Sequence, residues 1–401
     1  MENSQTLAGR LLIINGGSSS IKFTVFESSE TLKRAFTGHI EGIGQSSGHF
    51  TIKDFVGTQN ESQTLGVPSY AVAVSTLFGW FQGRIDLAAF KAVGHRVVHG
   101  GPKYWLPTLI TPTLIEELRR VTSFDPEHLP DEIMLIEELS LRFPELKQIA
   151  CFDTAFHRDL PRVAQQLPIP RRFEAQGLRR YGFHGISYAY LLQELERVAG
   201  KKAAKGRVIL AHLGNGASLA AIRGGQCQDT SMSFTPAAGL MMGTRSGDID
   251  PGLVSILMKS EQLSPTLFDD MMNHESGLLG VSETSSDMRV LLANEESDIR
   301  ASEAIALFCY QVKKWIGAYA AVLGGLDTLV FAGGIGENAP IIRERICAGL
   351  DFLDIQIDSK LNAKNEAVIS VIGSGAKIRV IHPDEELMIA RSVLKLIQHD
   401  D

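Results

Sequence analysis

LLIINGGSSSIKFTVFE, residues 11–27, and RVILAHLGNGASLAAIRGG, residues 207–225, follow one grammar: an apolar run, a turn of glycine with serine or asparagine, and a second strand-forming run. Each reads as a β-hairpin and not as a strand-to-helix unit, because β-branched, aromatic or small apolar residues resume at once after the turn. Two such hairpins about 200 residues apart predict a duplicated α/β domain.

Working outward, TPTLIEELRRVTSFD and DEIMLIEELSLRF carry apolar residues at helical spacing with acidic first turns and predict two helices. KQIACFDTAFH predicts a buried strand running into a polar loop, and a domain boundary is placed near residue 150. SEAIALFCYQVKKWIGAYAAVLGG predicts a long helix stopped by Gly324 and Gly325. The strand DTLVFAGG, a loop IGEN and the helix PIIRERICAGL follow. The expected domains are 1–150 and 151–385, with the last helix, about 386–401, returning to the first.

A chain of 401 residues exceeds the usual size of one core, in keeping with two domains. The formal charge of −7 argues against nonspecific binding to nucleic acid or an anionic membrane, so a polyanionic ligand must be held by local arginines. The four cysteines are scattered without metal or disulfide spacing, which suits a reducing cytoplasm. No apolar run approaches the roughly 20 residues that span a bilayer, and the N-terminus lacks an apolar signal core.

Four glycine-rich segments point to an anion. FTPAAGLMMGTRSGDIDPG, residues 234–252, sets Arg245 in a Gly, Thr, Ser and Asp-rich loop, where a planar fork of donors matches phosphate or carboxylate. NGGSSSIK, residues 15–22, is either a tight hairpin turn or a nest of serine hydroxyls and backbone donors beside Lys22. HLGNGAS, residues 212–218, is by itself a plain turn, but paired with the first hairpin it suggests two turns that hold one triphosphate. GGIGENAP, residues 333–340, satisfies the relaxed dinucleotide pattern G-x-G-x-x-A, though it lies late in the chain. GHRVVHGG with Arg96, FDTAFH with Asp153 and RRYGFHG with His184 are read jointly as exposed site segments, because glycines flank Arg96 and His184. Singly, each could be an ion-pair member, a strand-end cap or a satisfied core histidine. Walker A, protein-kinase, G-x-S-x-G and H-E-x-x-H signatures are absent.

In this order the motifs INGGSSSIKF, GHRVVHGG, FDTAFH, RRYGFHG, HLGNGAS, DTSMSFTP, GLMMGTRSGDIDPG, SSDMR, AGGIGEN and DEELMIAR resemble the acetate kinase family over nearly the whole chain. The resemblance implies duplicated actin-like, ribonuclease H-like domains with a nucleotide cleft between them, usually as a homodimer. It also implies reversible, magnesium-dependent phosphoryl transfer from ATP to acetate, giving acetyl phosphate and ADP, with manganese as an alternative ion. By matching position, Arg96, Asp153, His184 and Arg245 would be catalytic. Arg96, Val98, His128, Phe183 and Pro236 would bind the acceptor. ATP would lie on Ser18, Ser20, Lys22, His212, Leu213, Gly214, Asn215, Gly216, Asp287, Met288, Arg289, Gly334, Ile335, Gly336, Glu337 and Asn338. Asn15 and Glu385 would place the metal.

Because a carboxylate acceptor is already ionised near neutrality and needs no general base, Asp153 is expected to orient magnesium or an arginine. The chain departs from the family at three places. DPEHLP, residues 125–130, stands where A-P-L-H-N-P is usual; HGISY, residues 184–188, replaces H-G-T-S-H; and Ala237-Ala238 stands where a Leu-Glu pair is common. The small Ala237 and Ala238 predict that propionate could also be accepted, while Glu127 in DPEHLP, where an apolar wall residue is expected, either turns to solvent or an arginine or points to an acceptor other than simple acetate. Three other readings are weighed: a sugar kinase of the same superfamily, against which Arg96 with Arg245 fits a carboxylate better; an ATP-driven actin- or chaperone-like binding protein; and a nicotinamide dehydrogenase resting on the Gly334 pattern alone.

Overall fold

The structure is a computed structural model that describes residues 9–399 apart from 18–19, 29–30, 56–59, 68 and 83–88. The chain forms two compact units: one runs to Ala155 and resumes at Asp384, and the other is Phe156–Pro383.

In the first unit the described strands are β1 (Gly9–Gly17), β2 (Ser20–Ser28), β3 (Lys33–Glu41), β4 (Gln45–Asp54), β5 (Glu61–Val67), β6 (Phe90–Val97), β7 (Thr108–Leu109) and β8 (Lys147–Phe152). They lie in the order β5-β4-β3-β2-β1-β6-β8-β7. β1 runs antiparallel to β2, with Asn15 opposite Lys22, and parallel to β6. Alternation along β1 supplies both faces of the sheet. Leu12 and Ile14 join a core with Phe23, Leu77, Phe78, Leu135 and Leu139, drawn from β2 and from the helices Tyr70–Phe81 and Leu129–Arg142. On the alternate phase, Ile13 meets Gly94 of β6, and the helix Glu385–His399 covers that glycine with Ile389 and Val393. A Cβ at Gly94 would come within 2.7 Å of both methyl-bearing side chains, so a residue without a side chain is what lets the last helix seat there.

In the second unit the strands are β9 (Arg207–Leu213), β10 (Ala217–Arg223), β11 (Gln226–Thr230), β12 (Thr328–Ala332) and β13 (Lys377–Val380), in the order β11-β10-β9-β12-β13. This repeats the run β3-β2-β1-β6-β8 with the same directions: two antiparallel pairings, then two parallel ones. The duplication read from the two hairpins is therefore present strand for strand. Parallel neighbours need long crossovers. Between β11 and β12 the crossover includes the helix Ile299–Leu323, capped by the Asp298 side chain and stopped at Gly324 with φ +73°.

One local expectation is corrected. IGEN is not a loop, and Gly333 and Gly334 do not end the strand: Gly333–Asn338 is a short helix that starts directly after β12. Gly333 makes this possible, because its φ of +78° turns the chain, and a Cβ there would stand 2.7 Å from the Leu213 carbonyl oxygen. Packing against β9 overrides a composition that by itself reads as a turn. The helix expected from DEIM onward likewise begins earlier, at Leu129.

Candidate active site

The first unit gathers its charged groups at the end of β1 and β6. Arg96, on β6, donates from Nη2 to Asp153 Oδ2 at 3.0 Å, and its Nη1 lies 3.5 Å from Glu132 Oε1. Asp153 is 1% exposed and follows directly on β8, where its own N–H donates to the Val97 carbonyl at 2.9 Å. Glu132 accepts the Val98 N–H with both oxygens, at 2.9 and 3.2 Å, and so ties the β6 terminus to the helix Leu129–Arg142. Asn15 donates to Glu385 Oε2 at 3.4 Å.

Burial dominates the electrostatics here. It pushes the Glu132 carboxyl up to about 8 against the pull of Arg96. It raises Glu385 to about 7, with the neighbouring Asp153 charge adding and Arg96 subtracting. Partial burial also works against the Arg96 charge, yet Asp153, Glu132 and Glu385 together hold its guanidinium firmly protonated. Two crowded carboxylates and an asparagine form an oxygen-only donor set, and a divalent cation would relieve their repulsion. Magnesium suits such a set, since it is usually held by one or two carboxylates together with phosphate oxygens and water. Among the described residues no group of three or more His, Cys, Asp or Glu forms a self-sufficient metal cage.

The acceptor-binding candidates of this unit are Val98, which is buried, and His128, whose Nδ1 donates to Asp125 Oδ1 at 2.8 Å. Lys22 is exposed on β2 and Ser20 is half-buried at its start. Ser18 lies outside the described residues.

In the second unit the loop between β9 and β10 opens a cavity of about 620 Å³. Gly214 and Asn215 from that turn, Asp287, Met288 and Arg289, and Gly334, Ile335 and Asn338 all line it. Three segments far apart in sequence thus converge on one pocket. Glu337 is turned to His382, at 2.6 Å, and Gly336 is buried against β9. Neither lines the cavity. The loop 234–252 is locked to the same turn: the Gly243 N–H donates to the Asn215 carbonyl at 2.9 Å, and a Cβ on Gly243 would lie 2.1 Å from Asn215 Oδ1. That contact fixes the backbone around Arg245, whose carbonyl accepts the Met242 N–H at 3.0 Å.

His184 sits in the left-handed region, φ +56°, immediately before the helix Gly185–Ala199. Its Nδ1 is 2.8 Å from Ser218 Oγ, which is also 2.5 Å from Tyr188 Oη. Its ring stacks on His212 at 4.4 Å, and His212 Nδ1 is 2.8 Å from Ser187 Oγ. Phe183 is buried and its carbonyl accepts from His157 Nε2 at 2.9 Å, while Pro236, Ala237 and Ala238 are half-buried.

Sequence reading missed Glu132, Asp125 and Ser218. A signal existed for the first: Glu132 falls on the apolar stripe Leu129, Ile133, Ile136, Leu139 of its helix, and a carboxylate on a buried stripe demands a partner. Nothing local marked Ser218, because a serine inside a strand is ordinary.

Comparison with known proteins agrees with this geometry. The family model of the acetokinase family matches residues 10–391. An acetate kinase of Rhodopseudomonas palustris (strain TIE-1) is 43% identical over 96% of this chain and 98% of its own length. One from Bacillus subtilis (strain 168) is 40% identical over 96% and 99%. Among solved structures, Porphyromonas gingivalis acetate kinase superposes with a TM-score of 0.87 at 35% identity, covering 97% of this chain and all of that one. A propionate kinase from Francisella tularensis superposes with 0.89 at 36% identity, covering 96% and 98%. The chain belongs to the acetokinase family, the carboxyl-accepting phosphotransferases to which its ordered motifs pointed.

Proposed function

We propose that this protein is an acetate kinase that transfers the γ-phosphoryl group of ATP reversibly to the acetate carboxylate, with magnesium as the bound ion. What supports the nucleotide half is the convergence of three sequence-distant segments on the 620 Å³ cavity of the second unit. What supports the anionic acceptor is Arg96, a half-buried guanidinium braced by Asp153 and Glu132. The transition state spreads negative charge over equatorial oxygens, so catalysis is positioning and charge compensation, which arginines and His184 can supply. Asp153 acts on Arg96 and not as a base, consistent with its bond at 3.0 Å. Asn15 and Glu385, with Asp153, would hold magnesium, whose bound charge would neutralise phosphate oxygens. In this proposal the enzyme works in the cytoplasm as a homodimer; no described helix is long and apolar enough to cross a membrane.

A second acceptor, propionate, is favoured by Ala237 and Ala238, small and half-buried beside Pro236. The deciding assay offers acetate, propionate, butyrate and glycerol with ATP and magnesium and traps acyl phosphate with hydroxylamine. Hydroxamate from acetate, with a lesser yield from propionate, is the expected result, and a large preference for acetate would remove propionate as a second acceptor. Equal kcat/KM values would make the enzyme a short-chain acyl kinase, and ATP hydrolysis indifferent to any acid would overturn the kinase proposal.

A further inference from the structure

Asp125 is 4% exposed, yet it is a carboxylate on the loop that leads into the helix Leu129–Arg142. One of its oxygens, Oδ1, accepts twice from a single residue: from the His128 N–H at 3.0 Å and from His128 Nδ1 at 2.8 Å. Two bonds to one oxygen fix both the backbone entry and the imidazole plane. The histidine ring is committed at Nδ1, which leaves Nε2 as the nitrogen for any further partner, and the His128 side chain is 15% exposed where Asp125 is not. Charge supports the pairing. Burial pushes the Asp125 carboxyl up, but its bonds to His128 and the field of Arg96 bring it net below the ordinary value, so it stays an anion.

We infer that Asp125 is a positioning residue for the acceptor site: its two bonds hold the His128 imidazole by Nδ1, so that Nε2 is the ring nitrogen presented to a short acid. This rests on the acyl kinase reading of the site, in which His128 contacts the acceptor. With Nδ1 taken by Asp125, the other ring nitrogen is the one that can meet a ligand. A carboxylate–histidine pair of this kind fixes the orientation of the ring, as it does where histidine ligates metals.

The test is a thermodynamic cycle on acceptor binding. Asp125→Ala is expected to raise KM for acetate about tenfold, within the 10–100-fold range seen for such partners, with KM for ATP unchanged. Asp125→Asn is expected to lie between, since its amide oxygen still accepts from Nδ1. In a His128→Ala background the Asp125→Ala change is expected to add nothing. A merely structural Asp125 would weaken both enzymes equally, and that additivity would overturn the proposal, as would an unchanged KM for acetate. Long-range ¹H–¹⁵N spectra of the histidine rings read the pair without turnover: a protonated Nδ1 in the native protein that is lost in Asp125→Ala, and an Nε2 resonance that moves on adding acetate. If no acid yields hydroxamate, the kinase reading falls. The spectra then still decide the pair, and an unprotonated Nδ1 or an Nε2 indifferent to acetate refutes it.

Discussion

At the residue scale, the site is made of groups that would be costly alone and are held by neighbours. Gly16 shows how tight the fit is. Tyr70 is 6% exposed, its hydroxyl has no hydrogen-bond partner among the described residues, and a Cβ on Gly16 would lie 2.3 Å from that oxygen. Gly16→Ala is expected to destabilise the protein by about 1–3 kcal/mol through overpacking. Adding Tyr70→Phe should recover most of the loss, since the next atoms stand 3.6 Å or more away. Denaturant unfolding of the two variants checks this, and a double variant no better than Gly16→Ala would place the strain elsewhere. Glu132 yields a pH prediction. Its folded carboxyl is raised to about 8 from an ordinary 4.5, so between those values the folded chain holds a proton that the unfolded chain has released. Stability from this group is therefore present at low pH and lost as pH rises toward 8. Glu132→Gln mimics the protonated form and keeps an acceptor for the Val98 N–H. It should match the native protein near pH 5 and exceed it near pH 8 by about 1–2 kcal/mol, read as Tm against pH. A lower Tm at pH 8 would mean that the attraction to Arg96 outweighs the burial of Glu132.

At the element scale, the helix Gly333–Asn338 is held from below by one side chain. Arg343 is fully buried and donates to the carbonyls of Gly336 and Glu337, both at 2.8 Å, and to three further acceptors on Asn362 and Asn365. Its bonded partners include no carboxylate, and burial lowers its guanidinium to about 10. Arg343→Met would leave several buried acceptors without donors, at about 1–3 kcal/mol each. A loss of at least about 3 kcal/mol is expected, with a raised KM for ATP because Gly334, Ile335 and Asn338 border the cavity proposed for the nucleotide. Unchanged ATP affinity would detach this helix from the nucleotide. The same element shows where sequence legibility stops. Strands such as β1, β9 and β12 were plain from apolar runs bounded by glycine, and Arg96 and Asp153 stood out because glycines and a strand end surround them. The short helix was hidden, since its glycines and asparagine signal a turn unless docking on β9 is known. Ser218 was hidden for the same reason: its meeting with Tyr188, 30 residues away in sequence, is made by strand pairing and helix placement.

At the scale of the whole molecule, duplication divides the labour. The Arg96 cluster belongs to the first unit and the cavity proposed for the nucleotide to the second. The chain passes between units only at Ala155/Phe156 and Pro383/Asp384 among the described residues, and Asp153 and Glu385 stand within three residues of those crossings. The carboxylates proposed to manage the metal are thus tied to the two connections, so a shift in either connection would be felt at the ion. The second unit has one further property that bears on assembly. Its helices Pro251–Ser260 and Pro265–His274 bury no residue, although they carry Leu253, Ile256 and Leu267 in exposed positions. Exposed aliphatic residues on adjoining helices are costly in water and mark a surface that associates. If this surface closes the proposed homodimer, light scattering will give twice the 43.8 kDa of one chain. Ile256→Glu with Leu267→Glu will then halve that mass while leaving the far-ultraviolet circular dichroism intact, because neither side chain contributes to a core. A native monomer, or a dimer untouched by both charges, would move the interface to another face.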